Sequence, residues 1–199
     1  SKLVPGVEVI PFSDYLPFLE DLSIQNGGTS GTLGIEEEPL IFVYEKFQLA
    51  PVICYESIYG EWVAEQCRKG ANLISIITND GWWKNTAGYK QHFTYAGLRA
   101  IEQRRTIVRS ANTGISGVIN ANGVVLESTN WDEAICINTE VVLNNEITFY
   151  SMFGDYIGRL SVFVASMLFV VAFDKIIKIE KRHWLPIAQV AFIASFFPA

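Results

Sequence analysis

Residues 49–78 read LAPVICYESIYGEWVAEQCRKGANLISIIT, and this stretch decides the fold. Its ends, Leu49–Tyr55 and Leu73–Thr78, are short, nearly continuous apolar runs rich in Ile and Val, the pattern of strands buried on both faces of a layered sheet. Between them Ser57–Lys69 has helical composition and stops at Gly70, a residue suited to the left-handed turn after a helix. Further along, residues 90–105 place Phe93, Ala96, Ala100 and Ile101 on one side at helical spacing, with Arg99, Glu102 and Arg104 elsewhere; this is an amphipathic helix. Ile107–Ser110, Ile115–Asn120 and Gly123–Glu127 read as strands, Ala121-Asn-Gly123 as a hairpin turn, and Ile135–Leu143 as one more strand. The order β-α-β-α-β-β-β predicts an α/β layered domain with an antiparallel part.

Upstream, residues 3–22 carry Pro5, Pro11 and Pro17, which favour extended or turning backbone. The glycine-rich segment Asn26–Gly34 lacks a following Gly-Lys-[Ser/Thr], so it reads as a surface loop and not as a phosphate cradle. The whole chain has 199 residues, of which 50% are hydrophobic and 18% charged, enough apolar material to exclude disorder. Acidic residues outnumber basic ones by 21 to 15, which excludes a nucleic-acid binder of the usual basic kind. Charge is unevenly spread: residues 1–150 hold 10 basic and 18 acidic side chains, whereas 151–199 hold 5 and 3. Cys54, Cys67 and Cys136 are odd in number, without CxxC spacing and without a cluster around His92 or His183, so neither a disulfide scaffold nor a zinc site is expected. The chain starts at Ser1 with no signal-peptide pattern, and the expectation is a fragment.

From residue 157 the pattern changes. Leu160–Phe173 carries no charge, and extending it to Ile157 and Ile177 gives a length suited to a bilayer core of about 30 Å. A transmembrane helix over 157–177 is predicted, against the competing reading of a buried core helix. Lys175, Lys178, Lys181 and Arg182 follow, which by the positive-inside tendency puts that end in the cytoplasm and the α/β domain on the opposite face. Residues 184–199 are a second apolar stretch, short for a span and interrupted by Pro186; it is left as an apolar tail.

Chemistry centres on Pro51-Val-Ile-Cys54-Tyr55-Glu56, where a cysteine ends an apolar strand and a carboxylate follows two positions later. Side chains at the carboxyl ends of strands face the crevice where α/β proteins bind ligands, which makes Cys54 a candidate nucleophile. The competing reading is a small buried hydrophobe. A free thiol of pKa about 8.5 is only a few per cent ionised at neutral pH, so ionisation alone gains at most about 30-fold. Donors for a developing oxyanion, worth roughly 10²–10³ each, must come from elsewhere.

Ile53-Cys-Tyr-Glu-Ser57, Gly70-Ala-Asn-Leu, Thr78-Asn-Asp-Gly-Trp-Trp83, Gln91-His92, Arg99-Ala-Ile-Glu102, Arg109-Ser-Ala-Asn-Thr-Gly-Ile-Ser116 and Asn122-Gly123 occur in this order. Together they resemble the nitrilase, or carbon–nitrogen hydrolase, superfamily. With Leu3-Val-Pro5 before them and the apolar segment after them, the likeness is nearest to the apolipoprotein N-acyltransferases. The resemblance covers roughly residues 1–177 and implies a nitrilase-like four-layer α-β-β-α sandwich, partial here, with residues 1–150 as the catalytic domain lacking its N-terminal part.

It implies further that Cys54 is the nucleophile, that Glu56 and Glu8 are supporting carboxylates, and that the Tyr55 backbone N–H helps to hold the oxyanion. Trp82 and Trp83 are candidate walls of the acyl site, or packing residues. The family lysine stands one position upstream of Ser1, Lys2 is out of register, and the general-base glutamate lies further upstream; the fragment alone is expected to be inactive. His92 reads as structural, Arg99, Glu102 and Arg105 as a charged helix face, and Cys67 and Cys136 as inert. Lys84 stands where a glycine is common in the family.

The implied reaction carries a fatty acyl chain from a glycerophospholipid, through a Cys54 thioester, to the N-terminal amine of a diacylglyceryl-cysteine apolipoprotein at the bacterial inner membrane, with the catalytic domain on the periplasmic side. No metal or organic cofactor is implied, and no nucleic acid. Extracting a chain of roughly 15 methylenes into water would cost about 12 kcal/mol, so such an enzyme belongs at a bilayer surface. The alternatives are a membrane-anchored amide or nitrile hydrolase using the same residues, and a non-catalytic membrane-anchored binding module.

Overall fold

The computed structural model describes residues 38–177, and of 174–177 the backbone alone. The chain divides into two units, with the boundary between Met152 and Phe153. In the first, six strands form one sheet whose spatial order follows the chain: β1 (Phe42–Tyr44), β2 (Phe47–Ile53), β3 (Leu73–Thr78), β4 (Thr106–Ala111), β5 (Gly117–Ile119) and β6 (Val125–Ser128). β2, β3 and β4 are parallel, joined by α1 (Gly60–Arg68) and α2 (Ala87–Gln103), while β1, β5 and β6 add antiparallel edges. This is the α/β layer with an antiparallel part that the sequence predicts.

Alternation along the strands sorts the side chains. Ala50 and Val52 of β2, Ile74 and Ile76 of β3, Ile107 of β4 and Ile119 of β5 face Val63 and Cys67 of α1 and Ala96 and Ala100 of α2, and all lie in one solvent-free cluster. Among the described residues helices cover one face of β2 and β3, and Ile53 and Ile77 are exposed on the other.

Several boundaries move for local reasons. β2 ends at Ile53 and not at Tyr55, because Cys54–Ile58 winds into a 3-10 turn held by the Glu56 side chain, which accepts the Ile53 N–H at 2.7 Å. α1 therefore starts at Gly60, after that turn. α2 starts at Ala87 because the Thr86 hydroxyl accepts the Gly88 N–H, and it ends where Arg104 takes a left-handed φ of +51°.

The charged face expected from Arg99, Glu102 and Arg105 is also corrected. Arg99 and Arg105 are buried, and Ile101 is the residue that points to solvent. Arg99 donates to the Ile58 carbonyl and to Glu102. Arg105 donates to the carbonyls of Ala71 at 2.7 Å, Gln103 at 3.0 Å and Glu146 at 2.7 Å. A planar fork of donors matched to carbonyls is what makes a buried guanidinium tolerable, although burial still pulls Arg105 below its usual range.

Ile135–Leu143 is not a strand. Its alternation suits one, but the segment docks beside the start of β4, whose two edges β3 and β5 already occupy. Side chains hold it instead: Thr106 Oγ1 donates to the Val142 carbonyl at 2.7 Å and Asn144 Nδ2 to the Arg104 carbonyl at 2.8 Å. The short helix α3 (Phe149–Phe153) follows, fastened by Arg68, which donates to the Ser151 carbonyl at 2.6 Å.

In the second unit, α4 (Tyr156–Ile177) has 22 residues, hence a length of about 33 Å at about 1.5 Å per residue. No side chain of Tyr156–Phe173 is buried, and this stretch is long and apolar enough to cross a membrane. Residues 3–22, the glycine-rich loop at 26–34, the basic residues Lys178, Lys181 and Arg182, and the tail 184–199 lie outside the described residues.

Candidate active site

Register builds the site. Ile53 of β2 pairs with Ile77 of β3, so Cys54 and Thr78 come next to each other at the carboxyl ends of the two strands. Both lie on the α2-covered face, as does Arg109 of β4, which pairs with Ile76. Thr78 Oγ1 lies 3.2 Å from Cys54 Sγ.

Cys54 is half-buried and adopts a φ of +50°, a left-handed conformation unusual for any residue but glycine. The turn it opens holds that conformation. Glu56, buried, accepts from the Ile53 N–H ahead of it, Tyr59 N–H closes on the Glu56 carbonyl at 2.9 Å, and Ser57 Oγ donates to the Cys54 carbonyl at 2.9 Å. A sharp strand-to-helix turn of this kind lifts the cysteine out of the sheet and presents its sulphur beside the neighbouring strand end.

Behind the sulphur lies a buried polar cluster. Asp80, with no exposed surface, accepts from Arg109 Nη2 on Oδ2 at 2.7 Å, and from His92 Nδ1 at 2.8 Å and Thr78 Oγ1 at 3.0 Å on Oδ1. His92 Nε2 lies 3.0 Å from Ser57 Oγ and 3.2 Å from the Cys54 carbonyl oxygen. Burial alone would raise the Asp80 carboxyl, but the His92 and Arg109 hydrogen bonds outweigh it and hold the group below its ordinary value, so it is a carboxylate.

The β4–β5 loop completes the enclosure. Asp80 N–H donates to the Thr113 carbonyl at 2.7 Å, Arg109 also donates to the Ile115 carbonyl, and Gly114 sits at φ +130° where a Cβ would come within 2.6 Å of Asp80 Oδ2.

Aromatic rings cap the turn. Tyr55, Trp83 and His92 form a triangle with centroid separations of 5.7, 5.3 and 5.3 Å. Of the two tryptophans singled out by sequence, Trp83 is therefore packed beside the cysteine turn, whereas Trp82 is exposed. Lys84 occupies φ +48° and ψ −158°, backbone that glycine alone adopts with ease, so a lysine there is strained.

The structure thus brings together Cys54, Tyr55, Glu56 and Trp83; Glu8 lies outside the described residues. Cys67 is buried in the core, where desolvation pushes its thiol up to about 11, and Cys136 is exposed. Among the described residues no three His, Cys, Asp or Glu side chains converge as metal ligands.

Sequence reasoning missed Thr78, Asp80 and Arg109. Asp80 was hidden in an Asn-Asp-Gly turn, and Arg109 in a strand; a charged residue at an inward-facing position of an apolar strand is the signal that could have found it. The expectation that His92 is structural fits its place in this cluster.

A family model described as carbon–nitrogen hydrolase matches residues 15–145. The apolipoprotein N-acyltransferase of Chlorobaculum tepidum is 35% identical over 175 residues, covering 86% of this chain and 33% of that protein. That of Thermotoga maritima is 30% identical over 168 residues, covering 82% and 32%. The chain spans about a third of the length of these curated relatives. Among solved structures, an amidase from Nesterenkonia sp. is similar at a TM-score of 0.43 and 20% identity, over 51% of this chain and 41% of that one. With the model match extending over most of its length, the chain belongs to the carbon–nitrogen hydrolase family.

Proposed function

We propose that this chain is the thiol-bearing part of an N-acyltransferase that works at a membrane. The observation that carries the reading is Cys54 itself: a half-buried cysteine held at left-handed φ at the end of a parallel strand, in front of a buried hydrogen-bonded cluster. Similarity to apolipoprotein N-acyltransferases supports the reaction class. In the first half-reaction the Cys54 thiolate adds to an ester carbonyl of a glycerophospholipid. The Tyr55 backbone N–H stabilises the oxyanion, and the glyceryl oxygen leaves with a proton as lysophospholipid. In the second, the α-amine of a diacylglyceryl-cysteine apolipoprotein adds to the thioester, the thiol leaves, and an amide forms.

In this reading Glu56 fixes the turn, Glu8 is a second supporting carboxylate, and Trp83 and Trp82 line the approach of the acyl chain. The described sheet and its helices are half of a four-layer α-β-β-α sandwich within residues 1–150. α4 is a transmembrane helix spanning 157–177, with 184–199 an apolar tail, and the thiol-bearing unit lies on the periplasmic side of a bacterial inner membrane. Leu160–Phe173 carries no charge on any face of the helix and calls for apolar surroundings, which supports the span.

The test is a mass measurement. The full-length protein mixed with phospholipid and no acceptor is expected to acquire a hydroxylamine-sensitive acyl mass on Cys54, lost in Cys54→Ala. No adduct, or one that survives the substitution, rejects the reading.

A further inference from the structure

We infer that Thr78 is a positioning residue for the Cys54 sulphur, and that Asp80, clamped by His92 and Arg109, is what lets its hydroxyl serve that role. The proposal deepens the reading of Cys54 as nucleophile and rests on it for its catalytic meaning. Its geometry does not.

The argument is a count of protons. Thr78 has one hydroxyl proton and two acceptors in reach, Cys54 Sγ at 3.2 Å and Asp80 Oδ1 at 3.0 Å. It can satisfy one at a time. While the sulphur is a neutral thiol, the carboxylate is the stronger acceptor and takes the proton. Once the sulphur is a thiolate, a rotation about the Thr78 C–O bond redirects the proton to it.

Asp80 can release that proton without being left bare, because each of its oxygens keeps another donor: His92 Nδ1 at 2.8 Å on Oδ1 and Arg109 Nη2 at 2.7 Å on Oδ2. Without those two, a buried carboxylate would hold the Thr78 proton permanently. The same His92 ring meets the Cys54 carbonyl and Ser57 through Nε2, so one rigid cluster fixes both the backbone and the sulphur of the cysteine. Among the described residues the ionisable groups around the thiol are Glu56 on its own turn, Asp80 after β3, His92 on α2 and Arg109 on β4.

The separating experiment uses Thr78→Val, which keeps shape and loses the hydroxyl, and Thr78→Ser, which keeps the hydroxyl. In the full-length protein in detergent, the rate of iodoacetamide alkylation at Cys54 is followed by peptide mass from pH 6 to 10. Thiolate sulphur bonds carbon, iodide leaves and the thiol proton passes to buffer. Protection of the buried Cys67 thiol in the same digest reports that the domain is folded.

Thr78→Val is expected to move the pH–rate profile about one unit to alkaline, about tenfold slower at neutral pH, as befits one lost hydrogen bond to a charged sulphur. Thr78→Ser is expected to restore it to within about threefold. A Thr78→Val profile that overlays the parent overturns the proposal, as does a Thr78→Ser profile as displaced as that of Thr78→Val. A displaced and rescued profile in a protein that forms no acyl adduct sustains the hydrogen bond and rejects the acyl-transfer reading alone.

Discussion

Replacing Asp80 by alanine should open the thiol-bearing domain, by an amount the structure lets one work out. The Asp80 and Arg109 side chains have no exposed surface and their charged atoms lie 2.7 Å apart. Removing one member of a buried pair leaves the other charge without its partner, at a cost of about 3–5 kcal/mol. Arg109 would keep its bond to the Ile115 carbonyl and its place over the Phe93 ring, 5.6 Å from the centroid, but His92 Nδ1 and Thr78 Oγ1 would lose their acceptor as well, so about 3 kcal/mol is the least expected.

Cys67 supplies the assay. Its thiol is wholly buried in the core that β2, β3, α1 and α2 share, so a maleimide reaches it only through opening of the domain. At about 1.4 kcal/mol per tenfold, Asp80→Ala should speed Cys67 labelling at least about 10²-fold at fixed temperature. Asp80→Ala combined with Arg109→Met should recover part of that loss, since the unpaired cation is gone while His92 Nδ1 stays without its acceptor. Labelling within threefold of the parent in Asp80→Ala, or a double variant labelled faster than the single one, would refute the claim that this ion pair is buried and balanced.

Three further outcomes are expected. The Cys67 thiol titrates near 11 in the folded domain against 9.0 when free, so between those values the unfolded chain sheds a proton that the folded one retains. Stability should then fall as pH rises from about 9 to about 11, by roughly 3 kcal/mol, and the stability gap between parent and Cys67→Ala in denaturant melts should narrow by that amount. Lys84→Gly should stabilise the domain by about 1 kcal/mol, the strain relieved at Lys84 less the added freedom of the unfolded chain, with a higher denaturant midpoint as the readout. Val164→Arg near the middle of α4 should cost about 2.5–3.5 kcal/mol of membrane insertion, measured by placing Tyr156–Ile177 in an insertion reporter; unchanged insertion would count against the span.

What could be read in advance divides along physical lines. β2, α1, β3 and α2 were legible because local apolar periodicity and burial coincide in them. Cys54 was legible by its place after an apolar run, but its left-handed φ was not, since Glu56 and Ser57 impose it through bonds that only the folded turn shows. Arg105 and Arg109 were misread or passed over because charge suggests a surface, and the carbonyls and carboxylate that repay their burial come from residues as far as 41 positions away. β1 went unseen for the opposite reason: Phe42, Val43 and Tyr44 are all exposed, so a strand held by its pairing to β2 shows no alternation of burial. At 135–143 alternation was present, but the segment docks beside β4, whose two edges β3 and β5 already hold.

The sheet's plain order bears on how the protein is born. Because neighbours in space are neighbours in sequence from β1 to β6, each strand leaving the ribosome meets a partner that has already emerged, and no gap must be held open for a late arrival. The cysteine therefore emerges with β2 well before its setting is complete: Thr78 comes with β3, His92 with α2, and Arg109 only with β4. Until that last strand docks, Asp80 lacks one of its two anchors, and the thiol waits in a half-built pocket during synthesis.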